Sequence, residues 1–505
     1  MDTELDLQPL RDTYHGRGSR PHRPEFLLKL LLFEHMRGRL QPMQWLQDLQ
    51  ENLAVQWLTF GLQASKTALY EFRDRVGPLL PGWLAQIVQT AVREGHTDAA
   101  VGSLDGTYVA ANSSRHRTMT LETVDRRLEQ LDQARAPAEE TAAMIAAATP
   151  TVLETTVREA CAADEPVADT VPTTVAPLAA APPSAWMSRT ARGRKRQERR
   201  LRLARQVLQK RQAQNARRRK DKRKTARQIR ASLGDPQAVL GRDKLNVFRP
   251  LYNVQVMTDV KTDLVLAYDV NENVSDSGQL VSMLDRTREV TGRPLPVVLV
   301  DSGYPSGPDL AACQRRGVTV LAPWQENSFS EARAQARPKK QLLSKEQFVW
   351  EPALQAYRCP QGKQLVYAKS IKKQKANGDY HPLDVYQAPP ADCMACPLRA
   401  RCTTSSKGTR MVQRQPDEEF VEQLKKRMQT PEAKSQYAQR GCTVERRFAD
   451  LKSHRNFQRM SGQTPERAQA QTGLTLLAHN LVTLAALRAS QSLPPPTEIP
   501  LKAAG

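Results

Sequence analysis

Three carboxylates lie in sequence contexts from which they could do chemistry. Asp105 lies in AAVGSLDGTYVAAN, which predicts a strand, Asp301 follows the apolar run PVVLV, and Glu445 lies in GCTVERRFADLKSHRNF. An unbroken apolar run is typical of a strand covered on both faces, and side chains at the carboxyl end of such a strand commonly face a crevice. Each aspartate also has a purely structural alternative. Asp105 with the glycine after it fits a hairpin turn, and the run that begins at Asp301 fits a strand-to-helix turn cap.

The segment around Glu445 has the periodicity of an amphipathic helix. At about 100° per residue, Val444, Phe448 and Leu451 form one apolar stripe with Glu445 at its edge. Lys452 lies within about 20° of Glu445 and about 10 Å further along the helix. A carboxylate and an ammonium on one helix face suit a metal ligand beside a cation that holds the same DNA strand. Without the two strand aspartates, a docked helix with solvated charges would be the default interpretation.

The elements predicted around these acids alternate between strands and helices. LYNVQVMTDV and DLVLAYDV, joined by a turn at residues 261–263, predict a hairpin. A helix is expected over 277–290 with Gly292 just beyond its end, and another over 306–316, before the strand VTVLAPW. The order strand, hairpin, helix, strand, helix, strand predicts an α/β fold in which helices cover a mixed sheet.

Most of the net charge lies in one segment. The chain of 505 residues has 75 Lys and Arg against 53 Asp and Glu, so its formal net charge is +22. Residues 185–230 alone carry 20 Lys and Arg and 2 acids, a net charge of +18. We expect this basic arm to contact the phosphates of a polyanion, with a solvated charged arm as the alternative. The Ala/Pro/Thr-rich stretch over 134–185 has too little apolar surface to offset its ordering entropy and is predicted to be a tether.

The first hundred residues predict helices. Apolar residues recur at helical spacing in PEFLLKLLLFEHMRGRL and in ALYEFRDRVGPLL, and Ser65 is placed to cap a helix that begins at Lys66. Short helices with Arg and Lys on their outer faces fit a helix-turn-helix DNA-binding domain. A plain helical bundle fits the same pattern equally well.

Four cysteines lie between the second and the third acid. Cys359, Cys393, Cys396 and Cys402 give the spacing C-x33-C-x2-C-x5-C. Four thiolates suit a tetrahedral structural Zn²⁺, and the C-x2-C pair is typical of such sites. The wide first gap departs from a standard zinc finger, so reduced thiols in a small insertion are the alternative.

Composition and missing motifs exclude several classes of protein. No apolar run reaches the ~18 residues that a membrane-spanning helix needs. The start MDTELDLQPL lacks the order of a secretory signal, and seven Cys is an odd number for a disulfide scaffold. No P-loop or G-x-G-x-x-G motif occurs, so no nucleotide cofactor is expected. We therefore expect a soluble protein of a reducing cytoplasm without a membrane partner.

Four segments carry a resemblance to a known family. They are SLDGTYVAANSSRHR, DPQAVLGRDKLNVFRPLYNVQV, VVLVDSGYPSGPDL and YAQRGCTVERRFADLKSHRNFQRMSG. In this order they resemble the catalytic-domain motifs of DDE-class transposases of bacterial insertion sequences, across roughly residues 101–487. The resemblance implies an RNase H-like fold and a metal-dependent enzyme that cleaves and joins DNA.

The resemblance also implies a domain organisation. An RNase H-like catalytic domain is expected over residues 99–490. It is interrupted over 113–245 by the tether and basic arm, and over 325–436 by the cysteine-containing insertion. Residues 1–98 resemble the helical domain that precedes the catalytic core in these transposases, and residues 491–505 are expected to form a disordered tail.

By the same resemblance, each candidate site residue has a role. Asp105, Asp301 and Glu445 are the first-strand aspartate, the central-strand aspartate and the helix glutamate, and all three are expected to ligate Mg²⁺ or Mn²⁺. The signature Y…R…E…K maps onto Tyr437, Arg440, Glu445 and Lys452. Four residues separate Arg440 from Glu445, where three are common in related groups, which weakens the role expected of Arg440. Further DNA contacts are expected from arginines near the signature and in the basic arm: Arg446, Arg455, Arg217, Arg218 and Arg219.

The three acids suit the chemistry that the resemblance implies. Two divalent ions about 4 Å apart can stabilise the attacking and leaving oxygens of an in-line displacement, and Mg²⁺ prefers carboxylate oxygens and water. The protein is expected to bind the terminal inverted repeats of an insertion sequence in double-stranded DNA, cleave them and join their 3′ ends to target DNA. We expect it to act as a homodimer on DNA in the bacterial nucleoid. The alternatives are a DNA-binding regulatory or inactivated relative and a metal nuclease without strand transfer.

Overall fold

The computed structural model describes residues 3–14, 22–135, 184–243, 245–273, 275–324, 342–406 and 408–492. The predicted tether and tail therefore lie almost entirely outside the described residues. The chain divides into two units. The larger unit comprises Met1–Asn112, Arg217–Lys222 and Ala238–Gly505, and the smaller unit comprises Ser113–Ala216 and Arg223–Gln237.

The strands, numbered in chain order, are β1 (Val101–Ala110), β2 (Thr118–Met119), β3 (Ala231–Ser232), β4 (Val239–Arg242), β5 (Phe248–Asp259), β6 (Val265–Asn271), β7 (Val297–Val300), β8 (Thr319–Leu321), β9 (Val349–Glu351), β10 (Ala356–Arg358), β11 (Gln364–Gln374), β12 (Tyr380–Gln387) and β13 (Met411–Arg414). The α-helices are Gln8–Arg11, Pro24–Met36, Pro42–Glu51, Leu53–Leu58, Lys66–Val76, Leu80–Arg93, Leu121–Gln133, Ala191–Arg217, Leu280–Thr291, Gly307–Arg315, Pro390–Met394, Arg399–Cys402, Glu418–Arg427, Pro431–Arg440, Arg446–Ser453 and Pro465–Ser492. Among these described helices, none combines the length and the apolar character needed to cross a membrane.

Helices form the first part of the larger unit, as the apolar spacing predicts. The hydroxyl of Ser65 accepts a hydrogen bond at 3.2 Å from the amide three residues later, which confirms the predicted cap. The apolar faces of these helices share one core with the long helix Pro465–Ser492. In this core, Leu28 and Trp83 of the first helices pack in the same cluster as Leu474 of the long helix. The first and last described parts of the chain thus stabilise each other.

A mixed sheet forms the centre of the larger unit. Its strand order is β4-β5-β1-β7-β8, and β6 also pairs with β5. β1 is antiparallel to β5 and parallel to β7, and β7 is parallel to β8. The hairpin predicted from LYNVQVMTDV and DLVLAYDV is confirmed as the antiparallel pair β5 and β6. The predicted mixed sheet is therefore present. β4 adds a further strand to it by pairing antiparallel with β5.

Helices cover both faces of this sheet. On one face, the helix Leu280–Thr291 packs Met283 against Val298 and Leu104. This helix begins three residues later than predicted, and Gly292 follows it in the left-handed conformation with φ 72°, as a C-terminal glycine cap requires. On the other face, Val444 packs in one cluster with strand residues of β5.

The insertion between the second and the third acid contains a sheet of its own. Its strand order is β13-β12-β11-β10-β9, and every pairing is antiparallel. Trp350, Tyr357 and Tyr386 form its centre, with ring centroids 5.0 to 5.5 Å apart. Arg414 lies 4.1 Å from the Trp350 ring centroid, within cation–π range.

The smaller unit is built around two helices. Leu201, Ala204 and Leu208 form the buried stripe of the basic helix, at the i, i+3, i+7 spacing of one helix face. They pack with Val124 and Leu128 of the helix Leu121–Gln133. Most of the basic side chains around this stripe are exposed, so the arm is a docked amphipathic helix with a solvated cationic face.

Candidate active site

Asp105 lies inside strand β1. It is paired in register with Val256 of β5, and the pairing continues without a break through Gly106 and Gln255. The alternative interpretation of Asp105 as a hairpin turn is therefore wrong. The side chain is 21% exposed, and one carboxylate oxygen accepts a hydrogen bond at 2.9 Å from the Gly106 amide.

Asp301 follows β7, the strand parallel to β1. Leu104 and Val300 are paired, so the two aspartates are the next residues on two neighbouring strands. Asp301 also makes the local hydrogen bonds of a turn cap, because its Oδ1 accepts from the Ser302 amide at 2.6 Å. Asp301 therefore makes the contacts of a turn cap and also directly follows the strand that pairs with β1, while its expected catalytic role stays a prediction.

The chain reaches Glu445 through a helical segment with one wide turn. Residues Gly441–Glu445 form a π-helical turn between the helices Pro431–Arg440 and Arg446–Ser453. Such a turn accommodates one extra residue in a continuous helix. The predicted stripe that docks this segment is confirmed, since Val444, Phe448 and Leu451 are buried. The extra residue between Arg440 and Glu445 is therefore absorbed within the helix.

Arg440 joins the acids of the sheet and the helix. Its Nη2 lies 2.9 Å from Oδ1 of Asp105, and its Nη1 lies 2.5 Å from Oε1 of Glu445. The Arg440 side chain is only 9% exposed, whereas that of Glu445 is 55% exposed. Arg440 thus touches two of the three acids despite the extra residue, and its role in DNA contact stays a prediction.

Burial and neighbouring charges raise the pKa of Asp105 above its usual range. Burial has the largest effect, the charges of Asp276 and Asp301 add to it, and Arg440 together with the Gly106 amide opposes it. The pKa of Tyr437 is also raised, chiefly by burial, with Asp301, Glu445 and Asp105 acting in the same direction. Tyr437 is thus influenced by all three predicted acids.

A fourth carboxylate, Asp276, lies beside Asp105 and was missed by the sequence interpretation. Its Oδ1 accepts hydrogen bonds from Nδ2 of Asn253 at 3.0 Å and from Nε2 of Gln255 at 2.7 Å. A Cβ at position 106 would meet the side-chain ends of Gln255 and Asp276, so the glycine leaves room for their hydrogen bond. The available signal was the pair of amides at i and i+2 in the apolar strand LYNVQVMTDV, because buried amides need partners.

The remaining residues of the predicted DNA-contact set differ in their availability. Lys452 donates from Nζ to the Tyr108 carbonyl at 3.3 Å, which places it beside β1. Arg446 is 67% exposed and pairs with Asp263. Arg455 is only 13% exposed and pairs with Asp450 at 3.0 Å. Arg455 therefore has a structural partner, while Arg446 remains at the surface.

The predicted contacts of the basic arm lie at the end of its helix. Arg217 is the last residue of the helix Ala191–Arg217, and Arg218 and Arg219 follow it. The turn between β11 and β12 packs on this point, since a Cβ on Gly378 would collide with the Arg217 carbonyl.

The carboxylates at this site fit a divalent metal by their chemistry. Among the residues that the structure describes, no three acid, imidazole or thiol groups converge closely enough to form a metal site. The Arg440 guanidinium instead lies between Asp105 and Glu445, so one cationic group can be shared by both carboxylates. Asp301, on the neighbouring strand, adds a third donor of the type that Mg²⁺ prefers. That Asp105, Asp301 and Glu445 hold such an ion stays a prediction.

The four predicted zinc ligands lie in one region of the insertion sheet. Cys359, Cys393 and Cys402 pack against the same small core. Burial raises the pKa of the Cys402 thiol, Arg410 opposes the rise, and the other three cysteines add to it. All four are free cysteines. They are gathered in space, but not in metal-binding geometry within the described residues, so zinc stays a prediction.

Residues 358–485 match the family model of the transposase DDE domain. This range contains the cysteine cluster and the residues Tyr437, Arg440, Glu445 and Lys452, while Asp105 and Asp301 lie before it. No curated protein and no solved structure matches the chain. The family match supports a DDE-type transposase and hence a DNA substrate.

Proposed function

We propose that the protein is a DDE transposase of an insertion sequence that binds the element's terminal inverted repeats, cleaves them and joins their 3′ ends to target DNA. The observation that carries this proposal is the contact of Arg440 with both Asp105 and Glu445, next to Asp301. One guanidinium thereby joins two sequence-distant acids, one in the central strand β1 and one in the helical segment, and Asp301 follows the neighbouring strand β7. The family match over residues 358–485 supports the same conclusion.

The proposed catalytic domain is RNase H-like. This is supported by the strand order β6-β5-β1-β7-β8, with antiparallel pairing across the first three strands and parallel pairing across the rest. In this arrangement the first strand, the strand parallel to it and a helix packed on the sheet each supply one acid. Asp105, Asp301 and Glu445 occupy those three places.

Each residue at the site has a proposed task in phosphodiester cleavage. Asp105, Asp301 and Glu445 would hold two divalent ions, which supply charge stabilisation at the attacking and leaving oxygens. Arg440, once the acids are held by another cation, offers its planar set of donors to a phosphate. Lys452, beside β1, provides a second cation for the same strand of DNA. No covalent protein nucleophile is needed, because water and then a DNA 3′-hydroxyl can attack phosphorus directly.

A cleavage and joining assay tests this function. The substrate is a linear duplex that carries the ends flanking the coding sequence, incubated with Mg²⁺ and a target plasmid. We expect nicked and joined products from the wild type, and none from Asp105→Asn, Asp301→Asn or Glu445→Gln. DNA affinity should stay within a few-fold, because it depends mainly on Lys and Arg. Asp285→Asn, which removes an exposed carboxylate paired with Arg316, is the matched control and should cleave normally.

The products also separate the alternatives. Nicked DNA without joined DNA would indicate a metal nuclease. Tight binding to the ends without any cleavage would indicate a regulatory or inactivated relative. Wild-type cleavage by any one of the three amide variants would remove that residue from the set of metal ligands. The homodimer on DNA and the location in the bacterial nucleoid stay predictions.

A further inference from the structure

The hairpin of β11 and β12 extends beyond the sheet that carries it. β13 pairs with β12 only from Asp384 onward, and β10 pairs with β11 only at Gln364 and Leu365. Among the strands that the structure describes, none pairs as a third strand with the residues from Ile371 and Leu383 to Gln374 and Tyr380. At roughly 3.4 Å per residue, this two-stranded part projects about 14 Å from its last pairing with β13. We call residues 369–385, which comprise this part and the two adjoining pairs that β13 also contacts, the ribbon.

The ribbon carries exposed positive charge. Lys369, Lys372, Lys373 and Lys375 are all exposed, and none of them forms an ion pair with a carboxylate of the described residues. The two acids of the ribbon have local partners instead. Asp379 accepts from Nδ2 of Asn377 at 2.7 Å, and Asp384 accepts from the Ser370 hydroxyl.

The tip of the ribbon meets a second basic segment that is distant in sequence. Gly378, at φ 101°, packs so closely on the backbone of Arg217 that any Cβ would collide with the Arg217 carbonyl. Arg217 begins the run RRRKDK over Arg217–Lys222, which belongs to the same unit as the ribbon. Two runs of cations more than 140 residues apart are therefore neighbours in space.

We propose that the ribbon and Arg217–Lys222 form one surface that binds the phosphate backbone of double-stranded DNA. This proposal rests on the function proposed above and adds a contact surface outside the acids. Charge complementarity selects the partner. Arg217–Lys222 carries five cations against one acid, Asp221, which pairs with Arg219, and the ribbon carries four lysines against two acids. Duplex DNA presents one phosphate charge per ~1.7 Å of its axis. A two-stranded ribbon also has the dimensions to enter a DNA groove. The contact is with phosphates, so it acts on any sequence.

The test compares two double variants with a matched control. One variant carries Lys372→Gln with Lys373→Gln, and the other carries Arg217→Gln with Lys220→Gln. The control carries Arg358→Gln with Lys363→Gln, which removes two exposed charges from the same sheet. In the native chain these two cations are already paired, with Glu351 and Asp392.

The measurement is fluorescence anisotropy on a 12-base-pair duplex, about 40 Å long, between about 50 and 200 mM NaCl. Each phosphate contact contributes about 0.9 to the slope of log K against log salt, so each double variant should lower the slope by up to about 1.8. As salt rises fourfold, the fold-loss of affinity should then be about 12 times smaller for a variant than for the wild type. The control should keep the wild-type slope.

The outcomes distinguish this surface from the proposed function. A wild-type slope in the ribbon variant would overturn the surface while leaving DNA binding intact. If both variants lower the salt slope on a longer duplex but only one of them lowers it on the short duplex, the two segments form separate surfaces. That result would also overturn the proposal. A wild-type protein whose binding to any duplex is weak and insensitive to salt would instead contradict the proposed function itself.

Discussion

Replacing Arg440 by Gln should destabilise the protein, and a divalent cation should reverse part of the loss. Arg440 is 9% exposed and pairs with Asp105, which is 21% exposed. Loss of one partner from a buried ion pair costs roughly 3–5 kcal/mol, and the remaining exposure of Asp105 places the expected loss at about 3 kcal/mol. The pair with Glu445, which is 55% exposed, adds about 0–1 kcal/mol.

The reversal follows from the charges that the substitution leaves behind. Without the guanidinium, Asp105 and Glu445 repel each other and become available to a cation. Mg²⁺ at ten times its Kd for the folded protein stabilises it by about 1.4 kcal/mol. In wild-type protein Arg440 already occupies this position, so the same Mg²⁺ concentration should stabilise the wild type less than the variant.

Urea unfolding in EDTA and in MgCl₂ measures both effects. Arg414→Gln is the matched control, because Arg414 is also 9% exposed and pairs with Glu422 away from the acids. Its free energy of unfolding should fall as well, but equally with and without Mg²⁺. Equal stabilisation of the wild type and the Arg440 variant by Mg²⁺ would refute the idea that guanidinium and metal compete for the same carboxylates.

Three further predictions concern other parts of the molecule. Purified protein should carry about one zinc by elemental analysis, lost in Cys396→Ser; less than a tenth of an equivalent in wild type prepared without chelator would leave the four cysteines as reduced thiols. Burial and Asp48 raise the pKa of Glu34 to about 8. The free energy of unfolding should therefore fall as pH rises from 5 to 9, by roughly 3–5 kcal/mol more than in Glu34→Gln. Parallel pH profiles of the free energy of unfolding in the two proteins would contradict this. Deleting Cys442 should close the π-helical turn and leave cleavage within a few-fold, whereas deleting Ala449 should abolish cleavage, because Lys452 would rotate by about 100° relative to Glu445. Equal loss of activity in both deletions would contradict the role assigned to the turn.

The parts of the site that follow from local pattern could be predicted from the sequence. The unbroken apolar run PVVLV predicts a strand buried on both faces, and the stripe of Val444, Phe448 and Leu451 has the periodicity of a helix buried on one face. These patterns located Asp301 and Glu445 on the correct elements. Asp105 was also placed in a strand, but the glycine after it left a turn open. Only the pairing of Asp105 with Val256 in β5 decides that question, and pairing is a long-range property.

Asp276 could not be predicted because it belongs to a loop with no periodic pattern. Its position depends on amides that β5 presents from another part of the chain, and on the glycine that follows Asp105. Hydrogen-bond partners of this kind are fixed by tertiary packing, which a single sequence does not display. The buried amides Asn253 and Gln255 did mark that a polar partner was needed, although not which one.

The contact of Arg440 with Glu445 shows that the four residues between them do not keep the two side chains apart. In a regular α-helix, residues five apart differ by about 140° around the axis, so a guanidinium and a carboxylate at that spacing would lie on different faces. The π-helical turn over Gly441–Glu445 adds one residue without adding a turn, and both side chains remain on the face that meets Asp105. The regular helix Arg446–Ser453 then keeps the six residues between Glu445 and Lys452 at two full turns. In this chain the π-helical turn therefore absorbs the extra residue, and Arg440 and Glu445 keep a common helix face although their residue spacing is longer.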